Sequence, residues 1–180
     1  MQKISMDNET KKPRHGSVVA THPFHCITPV QLRFSDIDML GHLNNSRYFE
    51  LFDVAKNDYF TRVSGGDLKW QRPPVMIVNI NCDFLSQTTF NERVEVLTQV
   101  DRLGDKSFVL IQQLVNSDTG EVKCCCAATM VNFDVKALVP ASISPEWRQA
   151  IARFEHRDDL ACPHPLSLSH RDAEATENFY

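Results

Sequence analysis

The sequence predicts an α+β fold in which one long helix lies against an antiparallel sheet. Three observations carry this. Apolar residues recur at helical spacing between residues 45 and 62. The spacing then changes to two, with Val78, Ile80, Cys82 and Phe84 alternating with Asn79, Asn81 and Asp83. The later apolar runs are joined by short turns at 103–106 and 117–120, and short turns make antiparallel neighbours.

Taken in order, residues 1–22 are polar and unpatterned and read as a flexible N-terminal arm. A first strand is expected over 27–34, with Pro29 at its beginning or on an edge. A polar loop leads into the helix over 45–62, whose apolar stripe is Tyr48, Leu51, Phe52, Ala55 and Tyr59. Asn44, Asn45 and Ser46 all suit its first turn as caps, and Ser64-Gly65-Gly66 ends it. After Pro73 and Pro74 comes the alternating strand that contains Val78. A second follows, with Val94, Val96 and Val100 alternating with Arg93, Glu95 and Gln99. Residues 107–115 are apolar on both faces, as a central strand would be, and 121–135 form a last long strand. A short amphipathic helix with Trp147, Ile151 and Phe154 begins after Pro145, and 158–180 form a polar tail. The single long helix can cover only one face of the sheet. The apolar character of 107–115 asks for cover on the other, which another copy of the chain would supply, so a homodimer or homotetramer is expected.

Composition narrows the function classes. The 180 residues suit one domain, with 42% hydrophobic residues and a formal charge of −4. A mildly acidic chain without a basic face argues against a nucleic-acid partner. No apolar run approaches the roughly 20 residues of a membrane span, and the N-terminal sequence lacks the apolar centre of a signal peptide. A cytoplasmic protein is expected. The six cysteines include the run Cys124-Cys125-Cys126 and no CxxC, which fits neither zinc ligation nor a secreted disulfide framework. They read as small apolar residues, Cys124 and Cys126 on one face of a strand and Cys125 on the other. His22, His25 and Cys26 are too loosely spaced, with no second ligand pair, to make a metal site, and no cofactor is implied.

The chemistry concentrates in Asp36-Ile37-Asp38-Met39-Leu40-Gly41-His42-Leu43-Asn44-Asn45. In an extended stretch, Asp36 and Asp38 would point the same way while Ile37 packs inward. Gly41 permits a sharp turn or close approach of a ligand. The helix that follows presents N–H groups without intrahelical partners, able to polarise a carbonyl or hold an oxyanion. A carboxylate facing that end could act as nucleophile or general base, and these parts suit hydrolysis of an acyl compound. The same residues are also ordinary helix caps, so from residue types alone both readings stand.

The stretch DIDMLGHLNNSRYFELFDVAKNDYF (36–60) resembles the signature of the hotdog-fold thioesterases, in the broad 4-hydroxybenzoyl-CoA thioesterase group. PPVMIVNINCDFLSQTTFNERVEV (73–96), GDKSFVLI (104–111) and MVNFD (130–134) resemble later strands of that family. The resemblance implies a domain over 23–157 in which an antiparallel sheet wraps one central helix and two subunits join their sheets. It implies hydrolysis of a fatty or aromatic acyl-CoA at a subunit interface. Asp38 matches the catalytic carboxylate, attacking the thioester or activating water, and the backbone N–H near Asn45 matches the group that polarises the carbonyl. GHLNN (41–45) is also similar to the acyl-carrier-protein thioesterases of plants, in which a His and an Asn belong to the active site, so His42 and Asn44 are candidate substrate-side residues, with Gly41 allowing close approach of the ligand. Lys106, with Ser107 beside it, matches a position that helps hold the CoA phosphates. A non-catalytic acyl-CoA-binding module and an acyl-carrier-protein thioesterase are the alternatives on the same fold. A dehydratase would need a carboxylate and a His on opposite sides of the substrate, whereas Asp38 and His42 share one loop.

Overall fold

The computed structural model describes Val18, residues 20–66 and residues 74–162. The sheet is six-stranded and antiparallel. Its long strands are β1 (Cys26–Val30), β2 (Val75–Phe84), β3 (Val94–Leu103), β4 (Ser107–Asn116) and β5 (Val122–Asp134), in the order β1-β3-β4-β5-β2. The short β6 (Val139–Pro140) pairs with the end of β5. Two helices, α1 (Asn45–Val63) and α2 (Pro145–Glu155), pack on the sheet.

The helix stripe is buried as expected, because Tyr48, Leu51, Phe52, Ala55 and Tyr59 all face the core. Leu51, Phe52 and Ala55 meet Val96, Leu114, Cys124 and Cys126 on the inner face of the sheet. Toward its C-terminal end α1 joins a second cluster, where Tyr59 and Phe60 pack with Leu110, Met130 and, from α2, Trp147 and Ile151. Each large apolar side chain so buried contributes about 1.5–3 kcal/mol. The cysteine run divides as the strand period requires, with Cys125 on the outer face. Cys82 lies in register with Cys126. Its hydrogen bonds to Cys124 and Cys126, and then burial, hold those two thiols above the usual thiol range, as suits inert packing groups.

Three features depart from the sequence reading. The first strand stops at Val30 instead of running to residue 34. Past that point the Asp36 carboxylate accepts the Arg33 N–H at 2.8 Å, and this local bond closes a 3-10 turn over Phe34–Asp36 where a strand would have needed a neighbour. Second, the outer face of the sheet is covered in part by the chain's own N-terminal segment. Val18, Ala20 and Phe24 pack on Val109, Ile111 and Cys125. The Val18 N–H donates to Asp83 Oδ2 at 3.0 Å, and Gln99 Nε2 donates to the His22 carbonyl at 3.1 Å. A few spaced apolar contacts anchored by polar bonds leave no periodic signature in sequence. Third, β2 is an edge strand with a register shift between Ile77 and Asn79. The face that its alternation marks as buried is only half covered, with Ile80 at 43% and Phe84 at 44% exposure.

Candidate active site

The polar loop between the 3-10 turn and α1 is a small closed hairpin. Ile37 and Leu43 form a bridge, and the Asp38 N–H donates to the His42 carbonyl at 2.9 Å. Within the turn the Gly41 N–H reaches the Asp38 carbonyl at 3.0 Å, and the Leu40 N–H reaches Asp38 Oδ1 at 2.8 Å. Gly41 has φ +80°, a left-handed conformation that residues with a Cβ adopt only at a cost. The loop is then pinned from both sides. The Leu43 N–H donates to the Thr88 carbonyl at 2.8 Å, and the Asn44 N–H donates to the Asp36 carbonyl at 2.9 Å.

Asp36 and Asp38 do not share a side. Asp36 is buried, held by the Arg33 backbone and guanidinium and faced by Arg47 at 3.9 Å. Burial pushes its carboxyl up, but the hydrogen bonds from Arg33 and the charges of Arg33 and Arg47 outweigh that and hold it below the usual carboxylate value. Asp38 is half-buried and lines a cleft. The 3-10 turn explains the difference, because alternation of side chains holds only while the backbone stays extended.

The cleft has a volume of about 560 Å³. Asp38, His42, Asn44 and Asn45 line its polar side, and Leu40, Leu43, Tyr48, Phe84 and Leu85 its apolar side. Asn44 is the cap of α1, its Oδ1 accepting both the N–H and the hydroxyl of Ser46 at 3.0 and 2.8 Å. That leaves the Asn45 N–H, at the first position of the helix, without an acceptor among the described residues. Tyr48 packs edge-on against Phe84 with ring centres 5.1 Å apart, and its hydroxyl lies 3.0 Å from the buried Thr88 hydroxyl. Burial raises the Tyr48 phenol above its ordinary value, so it stays neutral there.

Four of the residues singled out in the sequence therefore meet in one place: Asp38, His42, Asn44 and Asn45. Gly41 shapes the turn without lining the cleft. Lys106 and Ser107 lie elsewhere in the chain. Ser107 pairs with Val131 near one end of β5, whereas Phe84 of the cleft pairs with Cys124 near the other. Seven residues of strand separate them, about 23 Å. The sequence reading did not single out the cleft wall from Leu85 to Thr88. The one signal was the loss of alternation after Phe84, which marks a loop but not what it faces.

Comparison with known proteins bears on the fold and the family. The family model of the thioesterase-like superfamily matches residues 32–151. The chain is 24% identical over 130 residues to the long-chain acyl-CoA thioesterase FadM of Escherichia coli, covering 71% of this chain and 97% of that one. Its fold is similar to a Thermus thermophilus thioesterase solved with coenzyme A and zinc, with a TM-score of 0.67, 24% identity, and coverage of 74% of this chain and 96% of the other. It is also similar to the PA5185 protein of Pseudomonas aeruginosa, with a TM-score of 0.64, 28% identity, and coverage of 72% and 90%. With two thirds of its length in that match, including the whole polar loop and α1, the chain belongs to the thioesterase-like superfamily.

Proposed function

We propose that this protein hydrolyses a fatty or aromatic acyl-CoA to the free acid and CoA. One observation carries the reading. The Asp38 carboxylate and the unengaged Asn45 N–H at the start of α1 line the same cleft, beside an apolar wall. The thioester carbonyl oxygen would accept the Asn45 N–H, supported by the positive end of the helix. Asp38 then either attacks the carbonyl carbon, expelling the CoA thiolate and leaving an anhydride that water hydrolyses, or takes a proton from the attacking water. The hydrogen bond from Leu40 N–H to Asp38 Oδ1 leaves Oδ2 for this work and fixes its aim. Leu40, Leu43, Tyr48, Phe84 and Leu85 offer the acyl group an apolar surface, which favours a fatty or aromatic chain over a small polar one. The name of the Escherichia coli relative, a long-chain acyl-CoA thioesterase, supports the substrate class.

The active unit in this reading is a homodimer joined through β2. Among the described residues that strand has one free edge, and Met76, Ile77, Ile80 and Phe84 are partly exposed on it. A two-fold axis beside an antiparallel edge pairs opposite strand ends. It would set the Phe84 end of one subunit near the Val75 end of the other, and so bring the second subunit's Lys106 and Ser107 toward the first subunit's cleft. Lys106 would there meet the CoA phosphates.

Thiol release from a panel of aliphatic and aromatic acyl-CoAs tests the reading, with Asp38→Asn beside the native protein. The expected result is turnover with an apolar acyl group that falls at least a hundredfold in the variant, the usual scale for a lost catalytic acid or base. No release from any acyl-CoA by folded protein would overturn it in favour of a binding module or a carrier-protein substrate.

A further inference from the structure

A second cavity, of about 500 Å³, lies at the other end of α1. The cleft meets the first turn of α1 at Asn45 and Tyr48, whereas this cavity meets the last turn at Arg62 and Val63. A 19-residue helix separates them, about 28 Å at 1.5 Å per residue. Its floor is apolar, made by Val63 and, from α2, Ala150 and Phe154. Its rim carries two arginines, Arg62 and Arg153, and two histidines, His25 and His156. That collection stands out on a chain whose formal charge is −4.

The rim charges are not equally available. Arg62 is paired with Asp58 at 2.7 Å and also donates to the Ile27 carbonyl at 3.1 Å. The nearby Glu155 carboxylate is turned into the core, where its Oε1 accepts the Tyr59 hydroxyl at 2.6 Å and the Val100 N–H at 2.8 Å. Arg153 is exposed on α2, and although its carbonyl accepts the His156 N–H at 3.3 Å, its guanidinium has no hydrogen-bond or ion-pair partner among the described residues. The His25 and His156 rings meet edge-on at 4.8 Å and add N–H donors. His156 does so from the C-cap of α2 at φ +53°, where Gly or Asn would be cheaper. The site thus offers one uncompensated guanidinium, further donors, and an apolar floor.

We propose that this cavity is a second ligand site that takes an organic monocarboxylate with an apolar body. A single free guanidinium matches one negative charge and a planar two-oxygen acceptor. The apolar floor of Val63, Ala150 and Phe154 has no use for a bare inorganic anion. The site is independent of the reaction assigned to the cleft and needs no second subunit.

Octanoate, octan-1-ol and inorganic phosphate titrated into the isotope-labelled full chain test this by amide NMR. Octanoate is expected to shift the amides of Gly65, Ala150 and Phe154 saturably. Arg153→Gln should weaken that binding at least tenfold, while Arg153→Lys retains most of it. Octanoate shifts at Leu40 and Leu85, which report the distant cleft, should be the same in all three proteins. The proposal fails if octanoate leaves the Gly65, Ala150 and Phe154 amides unmoved, or if Arg153→Gln binds as tightly as the native protein. It fails equally if octan-1-ol or phosphate binds there as well as octanoate.

Discussion

Asp36 and Asp38 stand two residues apart in one loop, yet Asp36 is locked at 1% exposure between Arg33 and Arg47 while Asp38 opens into the cleft. The first fixes the loop, and in the function proposed above the second does the chemistry. Substitutions at the two should therefore fail in different ways. Asp38→Asn retains an oxygen for the Leu40 N–H, so its unfolding curve should match the native one while thiol release is lost. Asp36→Asn should lower stability by about 2 kcal/mol, since it replaces a buried carboxylate that accepts from Arg33 with a neutral amide whose NH2 group cannot accept, and should reduce turnover only through the displaced loop. Urea unfolding beside a thiol assay separates the two. Equal destabilisation by both would contradict the division of roles.

Glu92 sets an acid limit on stability. It lies between Lys123 at 2.8 Å, Asn116 at 2.8 Å and the Thr89 N–H at 2.9 Å. Burial works against its ionised form, but these partners prevail and hold its carboxyl at about 2. A folded value below the unfolded one means stability that is complete above the ordinary glutamate range and is lost as pH falls toward about 2. Glu92→Gln should cost about 2 kcal/mol at pH 7, after allowance for partial exposure, and progressively less as the solution is acidified. A loss independent of pH between 7 and 3 would show that the ion pair with Lys123 is not its source.

Glu155 should behave in the opposite sense. It is 3% exposed, and burial raises its carboxyl above the usual value even though the Tyr59 hydroxyl, the Val100 N–H and the charges of His25 and Arg157 oppose this. The folded chain then holds that proton more tightly than the unfolded chain. Its contribution is favourable at low pH and declines as pH rises from the ordinary glutamate range through the folded value. Glu155→Gln keeps an oxygen acceptor for Tyr59 and Val100 without the charge. Relative to the native protein it should gain stability between pH 4.5 and pH 8, read from urea unfolding at both. A relative loss at pH 8 would mean that the carboxylate is better solvated than its burial indicates.

The free edge of β2 can be tested directly. Ile80→Arg places a charge on the partly exposed apolar face of that strand. With the dimer proposed above, the mass by light scattering should fall from a multiple of 20.5 kDa to that of one chain, with turnover falling in parallel. An unchanged oligomer would move the interface off β2.

Most of the secondary structure was legible in the sequence because it rests on periodicity. The stripe from Tyr48 to Tyr59, the cap at Asn44, the split of Cys124 and Cys126 from Cys125, and the turns at Gly104 and Gly120 each depend on neighbours close in the chain. The polar loop was legible as a candidate site for the same reason, and its resemblance to a thioesterase signature reached the right superfamily.

What only the tertiary structure decided involves partners far apart in sequence. Asp36 and Asp38 were equivalent as letters, and the difference between them comes from Arg33, Arg47 and a 3-10 turn that ends the extended backbone. The far wall of the cleft is set by Thr88, whose carbonyl holds Leu43 and whose hydroxyl meets Tyr48, contacts across 40 residues or more. The outer face of the sheet is covered by Val18, Ala20 and Phe24, a segment with no period to betray it. The cavity at the far end of α1 draws His25, Arg62, Arg153 and His156 from three separate parts of the chain. Local pattern fixes which face a residue presents along its own element. Only packing fixes what that face meets, and at this loop what it meets determines which carboxylate opens into the cleft.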